Sequence, residues 1–259
     1  PGVLMAKYFV YPLGGQSPTY AISSGSIPDG GGAYTSNSSK VTNTERLTDD
    51  SLDSAANFTE QHATIRVDKG GAAVNTLDAM YYYSTAANSN GFRFYTNSAN
   101  DDSSNSGYTG TTTLKGWNTE ELSDASNSER YWYMSAYEGA VTTITEVVLG
   151  VKLDLTNVIL GGSEGVNYGN DVMISSGGNE FSNQRHGAKK FWNLKLRHVS
   201  STVKSNLETM REAVDGSHHN FIYYDDNVYN YVSMSDDSLR FKEIAFGVYD
   251  TSIKLTEVL

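Results

Sequence analysis

FWNLKLRHVSSTVKSNLETMREAVDG, residues 191–216, holds two hydrophobic periodicities back to back. Across Phe191–His198 apolar and polar side chains alternate, so Trp192, Leu194 and Leu196 share one face of an extended strand. From Ser201 the spacing changes. Val203, Leu207, Met210 and Val214 fall at i, i+4, i+7 and i+11, a single apolar stripe on a helix over Ser201–Val214. Ser200 or Ser201 caps its start and Gly216 follows its end. Lys204 and Glu208 add an i,i+4 ion pair in the weaker order. The stripe has to be buried, and the Trp192–Leu194–Leu196 face is its nearest partner. A surface helix docking a second subunit would leave the flanking strands without cover.

Beyond the helix, Phe221–Tyr224, Tyr229–Val232, Leu239–Ala245 and Tyr249–Val258 read as strands, with Asp225-Asp226-Asn227 as a hairpin turn before Val228. Residues 185–259 therefore form a small α+β unit. In the other direction, residues 157–184 are rich in Gly and Asn (Gly161-Gly162, Gly165, Gly169, Gly177-Gly178) and read as a connection. Residues 63–156 carry repeated strand signals: Thr64–Val67, Ala79–Tyr83, Gly91–Thr96, Arg130–Tyr137, Val141–Gly150 and Val151–Leu155. Strands at this spacing, joined by Gly/Asn/Ser loops, predict a β-sandwich. Residues 1–62 are weakly patterned, with one strand signal at Tyr8–Tyr11 stopped by Pro12, and read as an extended arm or a set of edge strands. The fold class is mainly β, a sandwich followed by a unit with one helix.

A chain of 259 residues suffices for one large β domain or two smaller ones. Its 30 acidic and 19 basic residues give a net charge of −11, which argues against direct nucleic-acid binding, since phosphate backbones require a basic face. With no cysteine, disulfides, thiolate metal sites and thiol catalysis are excluded. No apolar run reaches the length of a membrane span, and Val3-Leu4-Met5 is too short for the core of a signal peptide.

The sequence names no reaction. It has no Gly-x-Ser-x-Gly elbow, no His-Glu-x-x-His and no phosphate loop. Glu120-Glu121 and Glu138 are carboxylates for a glycosidase pair in name only. Asp49-Asp50, Asp101-Asp102, Asp225-Asp226-Asn227 and Asp236-Asp237 supply oxygen ligands of the kind a structural Ca²⁺ takes, but lack EF-hand spacing. Asx residues also dominate turns, and the turn reading is the stronger for each cluster. His218-His219 is the only His pair, and neighbours on a strand point to opposite faces, which disfavours chelation of one metal. Neither an enzyme nor a cofactor is expected, and a metal is left open.

Aromatic side chains are the better binding lead. The chain holds 18 Tyr and 3 Trp, residues that supply flat amphipathic area to protein interfaces and to sugar faces. Trp117, in a polar region with Tyr108, is the leading candidate for glycan or interface contact. Tyr81-Tyr82-Tyr83 and Tyr131-Trp132-Tyr133 place rings on both strand faces, one set for the core and the other for core or a neighbouring subunit.

Two resemblances build on these segments. Ala79–Tyr83, Gly91–Thr96, Tyr131–Met134 and Thr143–Gly150 follow the order and texture of the discoidin or galactose-binding-like jelly roll. That resemblance implies loops at one end that bind glycans or other surfaces. The last quarter of the chain resembles part of the tail and baseplate proteins of tailed bacteriophages, carried by Arg185–Leu196, the Ser200–Val214 helix, Asn220–Asp225, Phe241–Asp250 and Ile253–Val258. It implies a virion structural protein, assembled in a host cytoplasm and later extracellular. Its partners would be other copies of itself and other virion proteins. The alternative is a carbohydrate-binding module for a host surface glycan. Residues 1–62 fit neither pattern.

Overall fold

A computed structural model describes residues 6–12, 21–23, 41–59, 63–68, 79–88, 91–97, 106–109, 114–121, 130–136, 142–155, 159–184, 186–235 and 239–258. The chain is mainly β with one α-helix among the described residues, and it divides into two compact units. One is Val10–Lys152. The other is Leu153–Leu259 together with the residues up to Phe9.

The first unit is a β-sandwich. Its strands are β1 (Tyr8–Pro12, from Val10), β2 (Ala21–Ser23), β3 (Val41–Thr42), β4 (Ala56–Phe58), β5 (Thr64–Asp68), β6 (Ala79–Ser84), β7 (Phe92–Asn97), β8 (Ser106–Thr109), β9 (Gly116–Glu121), β10 (Tyr131–Ala136) and β11 (Thr142–Asp154, to Lys152). One sheet runs β2-β5-β10-β7-β8 with every neighbour antiparallel. In the other, β9, β6, β11, β4 and β3 lie side by side. Alternation decides which side chains face inward. Ile65, Val67, Phe92, Phe94, Trp132 and Met134 from the first sheet share one buried cluster with Phe58, Met80, Tyr82, Ile144, Val147 and Leu149 from the second. Phe92 stands edge-on to both Phe58 and Tyr82, at centroid distances of 5.0 and 5.5 Å.

Three details differ from the sequence reading. Strands β1–β4 come from the first 62 residues; β2 and β3 end their sheets but β4 lies between β11 and β3, and the sandwich starts at Val10 rather than at residue 63. Val141–Gly150 and Val151–Leu155 are not two strands but the single β11, because Gly150 is not a turn glycine: a Cβ there would overlap Val10 Cγ1. The outer rings of β10 need no neighbouring subunit. Tyr133 is fully buried, and Tyr131 lies beneath the guanidinium groups of Arg66 and Arg130, 5.7 and 4.8 Å from its centroid.

The second unit has a sheet in the order β12 (Ile159–Asn167), β15 (Lys189–Ser200), β19 (Val248–Glu257), β17 (Val228–Met234), β16 (Phe221–Asp225), with β18 (Lys242–Ala245) also on β19. These pairings are antiparallel. Between β12 and β15 the chain forms a separate two-stranded sheet of β13 (Asn170–Ile174) and β14 (Glu180–Gln184). Residues 157–184 are thus largely strand, where the sequence read a connection. Helix α1 covers Ser201–Ala213, with the Ser200 hydroxyl accepting from the Val203 N–H at 3.3 Å and Val214 as its C-cap. It packs on β15 and β19 and buries Leu207, Met210, Ala213 and Val214, while Val203 is half-buried. Trp192, Leu194, Leu196 and Val199 are the buried residues of β15. The Asp226-Asn227 turn is formed, both residues at positive φ as a two-residue hairpin requires. Along β16, Tyr8 stacks on Tyr224 at 4.4 Å and Phe9, fully buried, meets the edges of Phe221 and Tyr223.

Candidate functional site

Among the described residues of the segment 161–184 none is buried. Yet it is regular. β13 and β14 pair through Val172↔Ser182, Met173↔Phe181 and Ile174↔Glu180. The tip is closed by hydrogen bonds from Gly178 N–H to Ser175 O and from Ser175 N–H to Asn179 O, both 2.9 Å, and the Ser175 hydroxyl accepts from Asn179 N–H at 3.1 Å. At its base Asn167 Oδ1 accepts from Gly169 N–H at 2.8 Å, and the His186 ring sits where a Cβ of Gly169 would be.

Alternation sorts this arm's side chains into two faces. Met173 and Phe181 stand opposite each other on one face, 64% and 58% exposed. Val172 and Ile174 lie on the other, 59% and 67% exposed. Val166 and Tyr168, just before the arm, are exposed as well. Six of the ten exposed large hydrophobic residues among those described therefore fall between positions 166 and 181. Single exposed apolar residues need no explanation, but a cluster on an ordered element marks an interaction surface. An isolated two-stranded hairpin is also marginal in water, so apolar faces on both its sides are placed to be covered.

The residues picked from sequence fall elsewhere. Trp117 on β9 is half-buried, edge-on to Tyr83 at 5.5 Å. Tyr108 lies on β8 opposite Phe94, in the other sheet of the sandwich. Trp192 and Leu194 are buried as expected, but the Trp192 ring stands edge-on to Tyr223 of β16 at 5.7 Å instead of serving only as a floor for the helix. Glu120 and Glu121 end β9. Glu138, Asp101-Asp102, Asp236-Asp237, His62 and Arg185 lie outside the described residues. Asp49 is a turn residue: it accepts from Ser51 N–H at 3.2 Å and from the Ser54 hydroxyl, with Arg46 Nη1 at 3.5 Å. His218 and His219 sit in the turn after α1 with their rings 4.7 Å apart at 75°. Among the described residues no three His, Asp or Glu side chains are grouped to hold a metal ion, and no helix is long and apolar enough to cross a membrane.

Val172, Met173, Ile174 and Phe181 were missed by the sequence reading. Their signal was there: three consecutive apolar residues inside a Gly/Asn-rich stretch, which a plain connection does not need. Compared with protein-family models, with curated proteins and with solved structures, the chain matches none of them.

Proposed function

We propose that this protein is a structural subunit that assembles with other copies of itself through the β13–β14 arm. The observation that supports this is the pair of exposed apolar faces on an ordered hairpin, Met173 with Phe181 and Val172 with Ile174. Fully burying one such side chain contributes roughly 1.5–3 kcal/mol. Association itself costs about 4–15 kcal/mol. One arm alone therefore makes a weak contact, and a closed ring of arms makes a stable one. The bulge at Gly161-Gly162 and the charge of Glu164 discourage pairing along the β12 edge. Tail or baseplate of a tailed-phage virion is the class of particle that the sequence resemblance suggests. The role needs no catalysis.

Light scattering on the intact chain tests the reading. The expected mass is a multiple of the 28.3 kDa chain, reduced to one chain by the double change Met173→Ser and Phe181→Ser. Those residues have no part in either core, so the variant should fold. A monomer at high concentration, or a double variant that assembles unchanged, contradicts the proposal.

A further inference from the structure

The second unit also contains a cleft separate from the arm's apolar faces. It measures about 570 Å³ and is lined by Lys7, the β12 segment Gly161–Glu164, Asp225-Asp226 and, at its floor, the buried Trp192, Leu194 and Tyr223. A second depression of about 410 Å³ continues from it, sharing Glu164, Trp192, Asp225 and Asp226 and adding Lys190. Both volumes are in the range of small-molecule sites.

Its polar groups are held in place. Asp225 is 16% exposed and held at both oxygens: Lys7 Nζ is 2.6 Å from Oδ1, and the Tyr223 hydroxyl donates to Oδ2 at 2.9 Å. Burial, then the bond to Asp225, push the Tyr223 phenol well above its ordinary pKa, so it remains a donor. Asn193 Nδ2 donates to the Ser163 hydroxyl at 3.1 Å, a cross-strand pair on the face of β12 and β15 opposite Glu164 and Trp192. The opposite rim has no side chains. β12 bulges against β15 between Ile159 and Gly162, with Gly161 at φ 118° and Gly162 at φ 151°. A Cβ on Gly162 would overlap the Asn193 carbonyl oxygen. This rim consequently presents peptide groups, and a bulge leaves some of them outside the ladder.

The charge balance narrows the ligand. Three carboxylates, Glu164, Asp225 and Asp226, face two ammonium groups, Lys7 and Lys190, which disfavours an anion. The described residues do not group to hold a metal ion. Carboxylates accept paired hydroxyl groups. Lys7 and the peptide groups of the rim donate. We propose that this cleft is a binding site for a neutral polyhydroxylated ligand, that is, a carbohydrate. It does not rest on the assembly reading, since the arm's Val172, Met173, Ile174 and Phe181 take no part in it.

Saturation-transfer NMR on the intact chain tests this, with neutral oligosaccharides of glucose, galactose, mannose and N-acetylglucosamine as probes and a uronic-acid oligosaccharide as the anionic control. The expected result is transfer to at least one neutral probe. Glu164→Gln combined with Asp226→Asn should weaken it about ten-fold or more, as loss of charged hydrogen-bond acceptors does. Asn tolerates the positive φ of position 226, so the turn is kept. The Met173→Ser, Phe181→Ser variant should bind as the parent does. Absence of transfer to every neutral probe, preference for the anionic one, or undiminished binding by the Glu164→Gln, Asp226→Asn variant would overturn the proposal.

Discussion

At the scale of single residues, Glu146 is the most exposed to pH although it is buried from solvent. It sits on β11, 3% exposed, with the backbone N–H groups of Ser51 and Asp50 donating to its carboxyl and Oε2 without a hydrogen-bond partner. Burial first, then the charges of Asp50 and Asp49, raise its pKa well above the ordinary 4.5, and the two backbone donors offset only part of that. A raised carboxyl binds its proton more tightly in the folded state than in the unfolded one. Stability is then highest below about pH 4.5 for this group, and falls as pH rises from there through the folded value. Glu146→Gln keeps the shape without the charge, so it should raise the Tm at neutral pH and flatten the pH dependence above pH 4.5. A Tm that falls at neutral pH would mean that the carboxylate, not the acid, is the form the fold holds. Nothing in the sequence pointed to this residue: it lies in the β-branched run Thr142–Leu149, and its acidic neighbours are some ninety positions away.

At the scale of elements, legibility followed burial. The helix was readable because its stripe is buried at Leu207, Met210 and Val214, and its cap because the Ser200 hydroxyl accepts from Val203 N–H just before that stripe begins. Ser200→Ala should cost about 1 kcal/mol, typical of a lost N-cap, measured by denaturant unfolding. A change within error would mean that the sheet contacts of α1 fix its start without the cap. Strands β5, β6, β7 and β10 were readable for the same reason, since their inward residues fill one core. β13 and β14 were not. They are held by backbone bonds and turn chemistry alone, and with no core to face they impose no hydrophobic alternation. Gly150 misled in the opposite direction: a glycine required by the close approach of Val10 looks in sequence like one required by a turn.

At the scale of the whole molecule, the sequence indicated a sandwich followed by a one-helix unit, and the structure has both. The boundaries moved because strands that pair across long sequence separations leave no local mark, as with Tyr8-Phe9 beside β16. The candidate surface was the least legible feature. Tyr108 and Trp117 were chosen for their chemistry, whereas what distinguishes Met173 and Phe181 is their exposure, 64% and 58%. The chain has no cysteine, so Phe181→Cys would carry its sole thiol, at the arm. The most direct test of assembly is the reaction rate of that thiol with a soluble disulfide reagent as protein concentration and particle mass are raised together. The account predicts that the thiol reacts fast in the single chain and is progressively shielded as the mass increases. A thiol that stays equally reactive in the assembled particle would contradict it.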